Sequence, residues 1–182
     1  MNVIDKIVNK AKSTWIHREE RWDFLGLCYF LALDSDVIVE FGLEWGFSTE
    51  VFLEATEVTK GKVYSIDWLD RYNKINTKTV NKFNHNPRWN FIKADVTKLE
   101  WTGEKIDLLL GDIGEENLEA GLENFLPHLS DHAIIIVPAI YHVRQPNKAR
   151  IMKEFAERHE DWIFSDITTK DGIGLLKRKI KQ

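Results

Sequence analysis

The sequence predicts an α/β fold, a doubly wound, mostly parallel sheet of seven strands with helices on both faces and extra helices at the N-terminus. Two observations carry this. Strand and helix patterns alternate from residue 36 onward. The first five strand candidates are apolar throughout, as expected of strands covered on both faces. Right-handed crossovers between parallel strands then place helices on both sides of the sheet.

The elements follow in order. Val3, Ile4, Ile7, Val8 and Ala11 recur at helical spacing. A second helix is expected over 19–33, with Glu19 and Glu20 suited to its first turn. Val37-Ile38-Val39-Glu40-Phe41, stopped by Gly42, reads as a buried strand. Ser48 and Thr49 are positioned to cap a helix whose inner face is Val51, Phe52 and Ala55. A second strand, 62–66, ends at Asp67, and a polar helix is expected over about 70–83. Strands at 89–93 and 106–110 come next. Leu118, Leu122, Phe125, Leu126 and Leu129 trace one face of the clearest helix. Ala133–Val137 is a fifth strand stopped by Pro138. A helix with Ile151, Met152, Phe155 and Ala156 inward precedes two last strands, 162–168 and 172–178.

At 182 residues the chain fits one domain, with 1–35 as a helical cap and 36–178 as the core. Its 43% hydrophobic and 30% charged content excludes a disordered or fibrous chain. One cysteine, Cys28, excludes an intramolecular disulfide and a cysteine-based zinc site, and suggests a reducing, cytoplasmic setting. A net charge of −4 lacks the broad positive field of a nucleic-acid binder. No signal peptide or membrane span is expected, since Phe24–Leu33 is too short to cross a bilayer.

In doubly wound sheets, ligands bind beyond the carboxyl ends of the strands. The first strand leads into Gly42-Leu43-Glu44-Trp45-Gly46-Phe47-Ser48-Thr49, where two glycines allow a tight turn and close approach to a ligand. This spacing differs from the G-x-G-x-x-G of dinucleotide loops. The next three strands lead to Asp67, Asp95 and Asp112. Each alone reads equally as a turn former or cap. Together, in this order beside this loop, they point to a ligand site.

With these residues the chain resembles the class I S-adenosylmethionine-dependent methyltransferases. Glu40 to Gly46 matches that family's E-x-G-x-x-x-G motif, Asp67 falls at its acidic ribose position and Asp95-Val96 at its adenine position. Gly46-Phe47-Ser48-Thr49, Ile106-Asp107-Leu108-Leu109 and Gly172-Ile173-Gly174-Leu175-Leu176 resemble the small-molecule O-methyltransferase branch that includes macrocin and cephalosporin-biosynthesis relatives. The likeness covers about 36–178 and implies a Rossmann-like fold with S-adenosylmethionine as cofactor. It implies that Gly42, Glu44, Gly46 and Ser48 form the cofactor loop. Glu40 would support that loop or the methionine amino group. Asp67 would hold the ribose, Trp68 would pack beside the adenine, and Asp95 would accept from the adenine amine.

The chain also departs from metal-dependent relatives. Gly111-Asp112-Ile113-Gly114 after the fourth strand keeps one carboxylate, and Val137-Pro138-Ala139 stands where an acidic pair is expected. One carboxylate is too few for a divalent ion, so no catalytic metal is expected. The D/N-P-P-Y motif of amino-methylating DNA enzymes is absent. A hydroxyl acceptor needs a base, and the candidates are Asp112, which alternatively contacts the methionine end, and His142, with His17 behind them. For His142 a solvent-exposed loop position is the plainer reading. Trp15, Trp22 and Trp45 are candidates for an acceptor pocket or simply for packing. Lys74, Lys78 and Lys82 share a helix face, most simply a solvated one. The expected reaction is methyl transfer to a small-molecule hydroxyl. A non-catalytic S-adenosylmethionine-binding module, a nicotinamide-dependent oxidoreductase and a nucleic-acid methyltransferase are the competitors. Homo-oligomerisation stays open.

Overall fold

A computed structural model of the chain describes Asp5 and residues 20–68 and 73–179. The helical pattern at 3–11, Trp15, His17 and the first residues of the helix expected from 70 lie outside the described residues. So do the side chains of Trp22 and Lys74.

The elements run α1 (Glu20–Ala32), β1 (Val37–Phe41), α2 (Phe47–Thr59), β2 (Lys62–Asp67), α3 (Asn73–Phe83), β3 (Trp89–Lys93) and β4 (Ile106–Gly111). Then come α4 (Glu115–Phe125), a 3-10 turn (Leu126–His128), β5 (Leu129–Pro138), α5 (Lys148–Arg158), β6 (Trp162–Ile167) and β7 (Ile173–Arg178). They build one seven-stranded sheet in the order β3-β2-β1-β4-β5-β7-β6. Strands β1 to β5 pair in parallel. β7 is antiparallel to both β5 and β6. The chain order reverses between β1 and β4, which is the switch point where such sheets bind ligands.

Alternate side chains of the central strands feed two cores. Val39, Phe41, Leu109, Ile135 and Val137 pack against Leu118, Leu122 and Phe125 of α4 and Ile151, Met152 and Phe155 of α5. Ile38, Leu108, Leu110 and Ile136 face the other way, onto α1, α2 and Phe83 of α3. α1 contributes to this second core: Phe24, Leu25, Cys28 and Ala32 are buried in it. α1 packs against α2.

Two sequence expectations change. β3 is an edge strand and only half-buried beyond Trp89, so it is not covered on both faces. β5 begins at Leu129 instead of Ala133, because the 3-10 turn ends α4 and delivers Leu129 directly into the sheet beside Ile106. Among the described residues, no helix is long and apolar enough to cross a membrane.

Phe125 is fully buried and meets Phe41 edge-on, with ring centroids 4.8 Å apart. Phe125→Ala is expected to lower unfolding stability by about 3–5 kcal/mol, read as a lower urea midpoint at unchanged slope.

Candidate functional site

The site is built at the carboxyl ends of β1 to β5, and its foundation is Glu40. This carboxylate points from β1 into the α2-side core and is fully buried. Ser48 Oγ donates to its Oε2 at 2.6 Å, and the Thr49 and Ser65 hydroxyls donate to its Oε1. Ser65 Oγ in turn accepts from Trp89 Nε1 at 2.7 Å. One side chain thus ties β1 to the first turn of α2, to β2 and through it to β3. Burial pushes the Glu40 carboxyl up to about 7, against the three hydroxyls that favour its charged form, and Asp112 adds repulsion. These bonds tie Glu40 to the base of the loop, and it is not among the residues lining the cavity.

Above it the glycine loop turns on three left-handed residues, Gly42 (φ 90°), Glu44 (φ 40°) and Gly46 (φ 69°). A Cβ on Gly42 would stand 2.5 Å from the Asp112 carbonyl oxygen. Glycine is required there because the loop passes against the strand-four turn, where Asp112 N–H donates to Phe41 O at 3.1 Å. At Gly46 a Cβ would meet Thr79 and Phe83 of α3, at 2.5 and 2.6 Å. Gly46 therefore lets α3 close on the loop as well as opening α2 toward the cavity. Thr79 Oγ1 completes that closure by donating to Glu44 O at 2.9 Å.

Asp67 holds the loop from the other side: its Oδ2 accepts from Leu43 N–H at 2.8 Å. Trp68 follows, 56% exposed at the cavity rim, and Trp45 is 52% exposed on the loop opposite. Asp95 is partly committed to a turn. Its Oδ1 accepts from Thr97 N–H at 3.0 Å and Thr97 Oγ1 at 2.7 Å. Those bonds, the Thr97 hydroxyl first, hold its carboxyl below the usual aspartate value. Val96 is buried between this turn and α4.

At the other end, Asp112 is exposed on the cavity wall. His142 lines the same cavity, but its Nδ1 accepts from Arg144 N–H at 3.2 Å. A neutral ring in that arrangement carries its proton on Nε2 and offers a donor instead of a lone pair. The loop bearing it is fastened twice. Tyr141 N–H donates to Asp171 O at 2.8 Å. Asn147 donates to Glu115 from its backbone N–H at 2.8 Å and its side chain at 3.0 Å, which with Lys148 and Arg150 nearby holds the Glu115 carboxyl low. Lys148, absent from the sequence candidates, lines the cavity and is only 1% exposed. A signal for it existed: Lys148, Ile151, Met152 and Phe155 share one helical stripe, so a charge stands at a buried position.

One cavity of ≈ 980 Å³ joins Gly42, Asp67, Trp68, Asp95, Val96, Asp112 and His142 with Glu44, Gly46 and Ser48. It runs past five adjacent strand ends, which at about 4.8 Å per strand span roughly 19 Å. Carboxylates recur along it. Among the described residues no group of three or more His, Cys, Asp and Glu side chains converges as a metal site would.

No family model matches the chain, and no curated protein matches it in sequence. Solved structures do match. An SAH-bound methyltransferase of Podospora anserina superposes with a TM-score of 0.72 at 16% identity, over 99% of this chain and 89% of that one. The O-methyltransferase TomG of Streptomyces achromogenes, involved in tomaymycin synthesis and in complex with SAM, gives 0.68 at 15% identity over 96% and 88%. A methyltransferase of Geobacter sulfurreducens gives 0.64 at 18% identity over 97% and 87%. The chain shares their Rossmann-like fold.

Glu40 predicts a pH dependence. Its proton is held up to about pH 7 when folded but only to its ordinary 4.5 when exposed. Stability is therefore fully present below about pH 4.5 and is lost as pH rises through 7, by about 3 kcal/mol from this group. Glu40→Gln keeps the hydrogen-bonding shape without the charge. The variant is expected to match wild type near pH 5 and to exceed it by pH 8, read by urea denaturation across pH.

Proposed function

We propose that the chain is a methyltransferase that uses S-adenosylmethionine to methylate a hydroxyl of a small molecule, without a metal ion. The observation that carries this is the single cavity at the switch point, with the Gly42–Gly46 loop at its centre, Asp67 on one side and Asp112 on the other.

The residues present suit the cofactor. Its length matches the run of five strand ends. Its cationic sulfonium and ammonium groups suit a wall bearing Glu44, Asp67, Asp95 and Asp112. Asp67 would accept from the ribose hydroxyls. Trp68 and Val96 would face the adenine, Asp95 offering its second oxygen to the amine. Ser48 and the start of α2 would meet the methionine carboxylate, where helix N–H groups favour an anion. Asp112 would take the methionine ammonium. When bound, the cofactor supplies the activated methyl group. The protein's part is to align the acceptor beside it at the β4 and β5 ends.

Metal independence rests on the absence, among the described residues, of converging ligand side chains, and on apolar Val137-Pro138-Ala139 after β5. The small acceptor rests on the cavity's size, ≈ 980 Å³, and on its lining at this end by Asp112, Pro138, Ala139, His142 and Arg144.

Calorimetric titration with S-adenosylmethionine and S-adenosylhomocysteine is expected to show binding of both. Asp67→Ala should weaken it by roughly 10- to 100-fold, the loss of a charge-assisted hydrogen-bond pair, while the variant still unfolds cooperatively. Binding of NADH alone would overturn this reading. Binding of both sulfur ligands with no turnover on hydroxylated acceptors would favour a non-catalytic binding module.

A further inference from the structure

Lys148 is a cation placed where cations are rarely tolerated. It opens α5 on the stripe that carries Ile151, Met152 and Phe155 into the core, and it is 1% exposed. Among the described residues its amine has one polar contact, the Pro138 carbonyl at 3.5 Å, which is long for a hydrogen bond. A buried ammonium normally requires a full partner set. Lys148 has no carboxylate in direct contact. Asp112, Glu115 and Glu116 act on it only from a distance.

Its position is specific. Pro138 ends β5, so the amine stands at the β5 end, across from Asp112 at the β4 end. The adenine-side residues Trp68 and Val96 lie at the far end of the cavity. The fastened 139–147 loop leaves Lys148 little freedom to move away, because Glu115 grips Asn147, the residue before it.

Resting on the methyl-transfer reading above, we propose that Lys148 is the general base of this site: its neutral Nζ takes the proton of the acceptor hydroxyl. The O–H bond breaks, its electron pair stays on oxygen, and the amine becomes an ammonium. The oxygen is then the nucleophile for the methyl carbon, whose bond to sulfur breaks with its electron pair going to sulfur. Asp112 and the ionised Glu115 stabilise the ammonium that forms, and Glu116 adds to them. Burial favours the neutral amine before the reaction and pulls the Lys148 pKa below the ordinary lysine value, against those three carboxylates. An amine is also a stronger base than a carboxylate. His142 is less suited, because Arg144 N–H occupies its Nδ1 and leaves a proton on Nε2. His142, Arg144 and Asp171 are the other titratable or charged groups facing this end of the cavity.

The test has three readings on the full chain. Calorimetry of wild type with S-adenosylhomocysteine checks the premise: absence of binding overturns the methyl-transfer reading itself. Carbon-13 NMR of protein labelled at lysine Cε follows each amine through pH, with Lys148→Met and Lys148→Arg assigning the resonance. Lys148 is expected to lose its proton at lower pH than exposed Lys98 and Lys153. Titration together with them would overturn the base assignment alone. The third reading compares phenol with 4-nitrophenol, which is largely ionised at mildly alkaline pH, as methyl acceptors. Lys148→Met is expected to lose roughly 100-fold or more with phenol, the scale of general-base catalysis, and far less with 4-nitrophenol. Equal loss with both would make Lys148 a structural residue. Where neither phenol is methylated, the NMR titration decides.

Discussion

Much of the site depends on one buried carboxylate. Glu40 stands in the α2-side core at a position that its neighbours Ile38 and Leu108 would otherwise make apolar. Burying it is tolerated because three hydroxyls reach it, two from the first turn of α2 and one from β2. The same bonds settle where α2 begins and how β2 lies beside β1. The start of α2 has no side-chain cap of its own; its Ser48 and Thr49 hydroxyls are spent on Glu40 instead. The helix therefore presents its first turn to the cavity, with its leading N–H groups unshielded by a capping side chain. The requirement to satisfy a buried charge thus produces the feature that suits the site to an anionic ligand group.

Around that anchor, the loops are held by bonds that cross between elements. Asp67 holds Leu43, Thr79 holds Glu44, and Asp112 N–H holds Phe41. Each connects the end of one strand or helix to the glycine loop, so the loop's left-handed residues are held by their surroundings and not by local propensity. Glu44 is the telling case: at φ 40° it is not glycine, and the bonds on either side of it sustain that conformation.

The two ends of the cavity have different characters. The β2–β3 end combines apolar Val96 and exposed Trp68 with two carboxylates already sharing bonds with the backbone. The β4–β5 end brings an acidic turn, Asp112 to Glu116, against a loop bearing His142, Arg144 and Lys148. Groups of both charge signs therefore line this end of the cavity. Lys148 belongs to this end because the helical stripe of α5 carries it inward, while Glu115 fixes the residue before it.

By itself, the sequence determined the layered architecture, because hydrophobic periodicity is a local property that survives in any tertiary context. The apolar runs at 37–41 and 106–110, the stripe from Leu118 to Phe125 and the turn glycines are all readable without neighbours. It also determined the line of strand-end residues, since a doubly wound sheet brings successive strand ends to one edge. What each residue does there was decided by tertiary structure. Glu40 reads as a loop support or a cofactor contact, and its three hydroxyl partners appear only in the fold. Asp95 reads as an adenine contact until its turn with Thr97 claims one oxygen. Gly46 reads as part of the cofactor loop, and only the fold shows α3 also occupying the space of its missing side chain. Lys148 reads as the start of an ordinary helix until the fold closes over it. Burial, hydrogen-bond partners and the dielectric around a charge are all set by residues distant in the chain, and pattern along a strand or helix does not encode them.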